Sequence, residues 1–203
     1  LNYARPWVNE GRDYWATRLS AISTDRPWFR DGVEYRHQVD NAGLGGVYGR
    51  RFGDRWIGEL GLKVETVDAS DHATAFTSSA DGSVMEGDEV RGDELPPGIQ
   101  EDLGRDGRVI LQVDVQHDTR AKKLRAGTPV SGIWGRLKTW TALQGPKTHA
   151  GLQADFRGYQ NAPGGVLALR VRGSVVTDHT PFYDRLYLGG MYTVRGFPTN
   201  SLS

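Results

Sequence analysis

The sequence has no cysteine among its 203 residues, which excludes a disulfide framework and a cysteine-ligated zinc site. It also lacks an excess of charge, because 25 Lys and Arg residues balance 25 Asp and Glu residues. This balance gives no indication of a nucleic-acid partner or an acidic one. No run of about 18 apolar residues occurs, so the sequence predicts no transmembrane helix. Glycine is abundant, with 27 residues, well above the roughly 7% of an average protein.

The length of the chain suits one domain of ordinary size. Residues 1–7 already have the pattern of a strand. They show no charged segment followed by an apolar run, as a signal peptide would. We therefore expect the chain to be a fragment of a longer protein.

Five segments alternate apolar and polar residues with the period of two that a strand with two different faces requires. In the first, residues 56–64, Trp56 and Leu60 lie on one face and Glu59 and Lys63 on the other. Less regular alternation at residues 2–8, 15–23 and 33–48 brings the total to about eight strands. The third of these changes phase near residue 40, which a β-bulge would explain. The apolar faces of the other four regular segments are formed by Val109, Leu111, Val113 and Val115; Ile133, Leu137 and Leu143; Leu152, Ala154 and Phe156; and Leu167, Leu169, Val171 and Val175.

The predicted connections alternate between short and long. Residues 9–13, 51–54 and 160–165 form tight turns, and the intervening connections are longer. Short periplasmic turns opposite long outer loops are typical of an outer-membrane barrel. The longest connection, residues 68–107, is acidic, and we expect a solvated surface loop with one helical turn near residues 99–103. Its acidic residues lack the spacing of an EF-hand, so calcium binding is not predicted.

Alternation alone fits two all-β architectures. A soluble sandwich turns its apolar faces inward, whereas an antiparallel transmembrane β-barrel turns them towards lipid. Two features favour the barrel. The polar faces carry charges of both signs, so that Asp155 and Arg170 can pair across neighbouring strands in a wet lumen. The strands also extend over roughly 9–11 residues, the length of a membrane-crossing strand.

No motif indicates an enzyme, a metal site or a cofactor. Residues 43–49 superficially resemble a dinucleotide-binding loop, but strand-like residues follow where a helix should begin. We interpret these glycines as positions where a barrel wall bends or packs closely. His117 and Asp118 lie near Asp114, but adjacent strand residues point to opposite faces, which disfavours a metal site. There is no Gly-x-Ser-x-Gly elbow and no carboxylate pair placed as in a glycosidase.

Tryptophans are placed near the predicted strand ends or turns. In a barrel they would form girdles at the membrane interfaces, and in an ordinary core they would be packed inside. The sequence leaves both possibilities open. The residues concerned are Trp7, Trp28, Trp56, Trp134 and Trp140.

Three blocks of the chain match one family in order. The first is Arg-Pro-Trp at residues 5–7, repeated at residues 26–28. The second is His-Asp-Thr-Arg at residues 117–120, followed by Pro129 and Gly132. The third and most specific is residues 181–190, Pro-Phe-Tyr-Asp-Arg-Leu-Tyr-Leu-Gly-Gly, followed by Val-Arg-Gly-Phe at residues 194–197. Together they resemble the BamA-type outer-membrane assembly and translocation barrels, the bacterial surface antigen family, in which the blocks are a Pro-Trp turn, an Asp-x-Arg stretch and the start of the sixth outer loop.

The resemblance implies a partial barrel, an open curved sheet of about eight strands from a sixteen-strand type. It places residues 68–107 outside the cell and residues 178–203 in a loop that folds back into the lumen. There Arg195 would anchor the loop by a forked, charge-assisted hydrogen bond to acidic groups on later strands. The residues implied for these motifs are Asp118 and Arg120 in a periplasmic turn, and Gly189, Gly190, Val194, Arg195, Gly196 and Phe197 in the lumenal loop.

The function implied is insertion of barrels into the bacterial outer membrane, or export of a passenger across it. The implied partners are outer-membrane lipid, unfolded outer-membrane or secreted client proteins, and periplasmic accessory domains or lipoproteins. No catalytic residue, cofactor or nucleic acid is implied. Open strand edges would pair with an incoming strand, because their backbone groups lack partners. Two alternatives remain: a passive structural or adhesive barrel closed between its first and last strands, and the membrane anchor of a secreted patatin-type lipase.

Overall fold

The computed structural model describes residues 2–8, 11–30, 33–77, 87–122 and 129–186. The strands are β1 Asn2–Val8, β2 Asp13–Arg30, β3 Val33–Phe52, β4 Trp56–Thr77, β5 Asp88–Arg91, β6 Gly104–Asp118, β7 Ala121–Lys122, β8 Pro129–Leu143, β9 His149–Ala162 and β10 Gly165–Val176. A one-turn helix, α1, covers Pro97–Gln100, and 3-10 turns cover Gly92–Glu94, Gly145–Lys147 and Phe182–Asp184. No helix in these residues is both long and apolar enough to cross a membrane.

All strand pairs are antiparallel, and eight strands form one sheet in the order β1-β2-β3-β4-β6-β8-β9-β10. β5 pairs with β4, and β7 pairs with β8. In the described part of the chain the edge strands β1 and β10 do not pair with each other, so the sheet is open. The predicted open all-β sheet of about eight strands is confirmed, as are the five regular strand segments.

One face of the sheet is apolar and uncovered. Leu60 on β4 and Leu167 on β10 are 59% and 66% exposed, although both are large aliphatic residues. The register aligns apolar residues across neighbouring strands, as in the row Leu44, Val64, Val109 and Leu143. A sandwich would bury such a face against a second layer. The orientation is therefore that of a membrane barrel, with apolar side chains outward.

Strands β2, β3 and β4 contain 18, 20 and 22 residues, more than the predicted 9–11. The outward apolar residues of β4 end at Val64, and Thr66 and Asp68 follow on the same face. The extra length is therefore strand beyond the apolar band. For the same reason the connection between β2 and β3 needs only residues 31–32, and the prediction of a long loop there is wrong. The connection between β8 and β9 is also short, residues 144–148.

The change of phase in β3 is real, but its predicted cause is wrong. Burial alternates without interruption from His37 to Leu44, and the β2–β3 register is continuous. What changes is the face that carries the apolar residues, because Leu44 points outward and Val39 packs inward. The ladder to β4 does shift between His37 and Val39, but the additional residues there are in β4, between Ala69 and Ala73.

Two motif assignments also change. The Arg-Pro-Trp blocks at residues 5–7 and 26–28, which resemble a turn signature, lie within β1 and β2. The sequence leaves girdle and interior positions open for five tryptophans, and of those with described side chains only Trp56 points outward, where it is 48% exposed. Trp28, Trp134 and Trp140 lie on the inner face, where they contact Phe182, Arg157 and Lys138 respectively. The side chain of Trp7 is outside the described part of the structure.

Candidate functional site

The inner face of the sheet carries ion pairs between neighbouring strands. Arg136 on β8 donates from Nε to Oδ2 of Asp114 on β6 at 2.7 Å, and a second bond comes from Nη2. Asp155 on β9 is held by Arg170 on β10 at 2.6 Å and by Arg157 at 3.0 Å. The predicted pairing of Asp155 with Arg170 is thus confirmed. Charge-assisted bonds of this kind fix neighbouring strands in register.

Glycines on the inner face of β3 make room for larger side chains. Tyr14 on β2 lies across Gly49 and donates its hydroxyl hydrogen to Glu59 on β4. A Cβ at Gly49 would lie 1.9 Å from Cε1 of Tyr14, and a Cβ at Gly43 would lie 2.5 Å from Cβ of Glu65. The interpretation of residues 43–49 as close-packing glycines of a strand, in place of a nucleotide loop, is confirmed.

After β10 the chain turns to the inner face. Thr177 still pairs with Ala150, and its carbonyl then accepts a hydrogen bond from the Thr180 hydroxyl at 2.6 Å. The 3-10 turn Phe182–Asp184 follows, and its Phe182 is fully buried. We call the surrounding apolar cluster the lumenal dock. It contains Val39, Val67, Ala69, Ile99, Phe182 and Tyr183, with Trp28 and Leu103 packed against it.

The connection between β4 and β6 contributes to the lumenal dock. β4 continues to Thr77 and β6 begins at Gly104, so this connection is residues 78–103, shorter than the predicted 68–107. Leu95 and Ile99 are buried, and the carboxylate of Asp102 accepts the backbone N–H of Phe182 at 2.8 Å. Pro97, Gln100 and Glu101 are exposed, so within residues 95–103 the expectation of a solvated loop is wrong only for the buried residues, which include Leu95, Ile99 and Asp102. Their apolar side chains are covered because the inner face supplies apolar partners.

A buried ion network lies beside the lumenal dock. Arg108 on β6 donates to Glu65 on β4 at 2.7 Å and also to Asp184, and its side chain is only 6% exposed. Nε2 of His149 lies 3.1 Å from Oδ2 of Asp184. Burial acts to raise the pKa of Asp184, but His149 and Arg108 outweigh it, so this pKa lies below its usual range. Asp184 is therefore held as a carboxylate.

The connection between β8 and β9 completes the site. Gln144 donates to the Tyr183 hydroxyl at 2.7 Å, and burial raises the pKa of that tyrosine to about 12. Lys147 lies 2.8 Å from Asp106 and 3.8 Å from Asp102. Burial also raises the pKa of Asp102, despite the opposing effects of the Phe182 N–H and of Lys147. Residues from five strands, β2, β3, β4, β6 and β9, and from two connections therefore hold the segment that follows β10.

The predicted site residues are distributed between described and undescribed parts of the chain. Asp118 and Arg120 pair at 2.7 Å, and the Arg120 amide also donates to Asp118. His117 points outward and stacks on Trp56 at 4.3 Å, so His117 and Asp118 diverge. Among the described residues no group of three or more His, Asp or Glu is arranged to hold a metal ion. The lumenal-loop residues Gly189, Gly190, Val194, Arg195, Gly196 and Phe197 lie outside the described residues.

An open antiparallel sheet with an exposed apolar outer face and an ionic inner face defines a partial membrane β-barrel. The Omp85 superfamily domain matches residues 1–203, so the chain belongs to this superfamily. Among solved structures, the chain is similar to BamA from Haemophilus ducreyi lacking POTRA domains 1–3, with 16% sequence identity and a TM-score of 0.60. The match covers 98% of this chain and 37% of the BamA chain, and it supports the fold. No curated protein matches the chain. The predicted BamA-type family is confirmed.

Proposed function

We propose that the chain is part of a bacterial outer-membrane β-barrel that inserts client proteins into the membrane or translocates them across it. The observation that carries this proposal is the inward course of the chain after β10. The segment fixed in the lumenal dock, Phe182–Asp184, ends five residues before the Gly-Gly pair and ten residues before Val-Arg-Gly-Phe. A passive eight-strand barrel would leave these motifs without a role. The proposal assigns the chain no catalytic role.

The outward face supports lipid as one partner. From Trp56 to Val64 it extends about 26 Å along the strand, at roughly 3.3 Å per residue. With the usual barrel tilt of about 40°, this corresponds to a band about 20 Å tall, close to the band of about 25 Å in outer-membrane barrels. We further propose unfolded outer-membrane or secreted proteins as clients, and periplasmic domains or lipoproteins as accessory partners.

We assign Arg195 the role of anchor for the lumenal loop. A guanidinium offers a rigid fork of donors for a carboxylate, which a lysine ammonium cannot reproduce. Gly189 and Gly190 would form the turn that leads into the loop, and Phe197 would pack beside the anchor. The Asp118–Arg120 turn would lie on the periplasmic side.

The open sheet argues against the passive eight-strand alternative. That alternative requires β1 to pair with β10, and in the described residues these strands are the two ends of the sheet. Unpaired strand edges in hydrocarbon leave backbone groups without partners, at several kcal/mol each. We therefore expect residues 1–203 alone to be inactive and the complete barrel to be active.

The test is client insertion by the complete barrel protein in lipid vesicles. A urea-denatured outer-membrane protein is added, and the protease-protected fraction is measured over time. We expect Arg195→Ala to slow insertion at least tenfold and Arg195→Lys to restore only part of the rate. The control Arg105→Ala changes an exposed arginine at the β6 start and should stay within twofold. Full activity of Arg195→Ala, or no insertion by the unaltered protein, would contradict the proposal.

A further inference from the structure

We infer that the connection between β4 and β6 is the receptor that positions the Arg195 loop, because residues 95–103 complete the lumenal dock. This inference rests on the proposed function and adds a positioning element to it. The loop and its receptor are far apart in the sequence, and they meet only because both fold onto the inner face of the sheet.

The first support is the packing around Phe182. Its ring is fully buried in a cluster to which β3 contributes Val39, β4 contributes Val67, and α1 contributes Ile99. The ring also makes an edge contact with Trp28 at 6.4 Å. Ile99 is itself fully buried, so truncating it would leave a cavity in the wall of the dock.

The second support is a backbone hydrogen bond from the loop segment to the connection. The backbone amide of Phe182 lies at the start of the 3-10 turn. Asp102 supplies the acceptor at 2.8 Å. This hydrogen bond is buried, and it links the turn to the connection.

The third support is that the 3-10 turn is attached to its surroundings at two points. Phe182 is held by the connection, and Asp184 is held from the other side by Arg108 and His149. Two attachments two residues apart restrict rotation of the turn. The orientation of the turn is therefore fixed relative to the sheet. Displacing residues 95–103 would remove one attachment and allow the Arg195 loop to leave the lumen.

The test uses the complete barrel with Thr193→Cys, two residues before Arg195. The absence of cysteine from the chain removes background from these residues. The rate of labelling by a membrane-impermeant maleimide reports exposure of the loop. We expect Ile99→Ala and Phe182→Ala each to raise this rate at least tenfold. Leu169→Ala, a truncation on the exposed outer face, should stay within twofold.

Folding is checked by heat-modifiable migration on a gel. If Ile99→Ala does not fold, Ile99→Val and Asp102→Ala replace it, with expected increases of two- to fivefold. Asp102→Asn keeps the acceptor and should label like the parent. Unchanged labelling in folded Ile99 and Asp102→Ala variants would overturn the inference, whether or not Phe182→Ala labels faster.

Client insertion measured on the same variants separates the two proposals. Faster labelling together with slower insertion supports both. Faster labelling with unchanged insertion supports the receptor and counts against a role for the loop in insertion. Unchanged labelling, with insertion still lost in Arg195→Ala, overturns the receptor and leaves the proposed function in place.

Discussion

Removing Arg136 should destabilise the barrel more than removing its partner Asp114. Asp114 is completely buried and accepts two bonds from Arg136, whose own side chain is 40% exposed. Asp114 lies directly opposite Glu59 on β4 and directly opposite Lys138 on β8, so it has one cross-strand neighbour of each charge. Without the guanidinium, the buried carboxylate would lose its charge-assisted hydrogen bonds, and only Lys138 would offset its charge.

The expected magnitudes follow from this asymmetry. Leaving a buried charge unpaired costs about 3–5 kcal/mol, and because Lys138 offsets part of the Asp114 charge we expect about 2–4 kcal/mol for Arg136→Ala. Asp114→Ala leaves a guanidinium that water can reach, and we expect a cost of about 1–2 kcal/mol, reduced by solvent screening. The double variant should be more stable than Arg136→Ala alone, because it removes the unpaired carboxylate along with its partner.

The assay is urea-induced unfolding of the complete barrel in detergent micelles, followed by tryptophan fluorescence. The three variants are compared at the same pH and salt concentration, and Arg170→Ala serves as a control. Asp155 keeps Arg157 in that control, so its cost should be below about 1 kcal/mol. Equal costs for the two single variants, or a double variant less stable than Arg136→Ala, would refute the reasoning.

Three further predictions concern single positions, measured by the same unfolding assay. Gly49→Ala should destabilise by about 1–3 kcal/mol, because its Cβ would overlap the Tyr14 ring, whereas Gly46→Ala should change stability by less than about 0.5 kcal/mol. Asp102→Ala should cost about 1–3 kcal/mol by removing a buried hydrogen bond to the Phe182 amide, while Asp102→Asn keeps the acceptor, removes a disfavoured charge and should be nearly neutral. The pKa of Asp184 lies below the ordinary aspartate value of about 3.9. The stability that its carboxylate contributes is therefore present above that pH and is lost as the pH falls through the pKa of the folded state. Asp184→Asn should thus reduce the decrease in unfolding free energy at acidic pH.

Each of these has an outcome that would count against it. Equal effects of the two glycine variants would exclude close packing of Tyr14 on β3. Equal losses for the two Asp102 variants would mean that its charge, and not its acceptor oxygen, holds the dock. If the unfolding free energy of Asp184→Asn decreases at acidic pH as much as that of the parent, other carboxylates cause the decrease.

The sheet was predictable because its two faces contact very different surroundings. Alternation at period two identified the outward Leu167 and Leu169 and the inward Arg170, and two-face geometry was enough to pair Arg170 with Asp155. The family motif at residues 181–190 also includes Phe182 and Asp184. These features depend on nearest neighbours in a regular ladder.

The lumenal dock was not predictable in the same way. Ile99 and Arg108 belong to it only because a connection folds back onto the inner face, and no local pattern specifies such a return. An apolar residue amid the acids of that connection, such as Ile99, was the one available signal. From the sequence alone the phase change in β3 indicates a bulge, because a single sequence cannot show that Val39 packs in an interior cluster while Leu44 faces outward.

The outer and inner faces of the sheet are expected to tolerate different substitutions during evolution. A methyl group on the outward side touches only fluid acyl chains, so exchanges among Leu, Val, Ile and Phe at positions such as 167 and 169 should accumulate freely. A guanidinium on the opposite side has a specific carboxylate to satisfy, so its replacement should be accompanied by a second change on the adjacent strand. Odd and even positions along one strand would then show drift and covariation, respectively, across lineages.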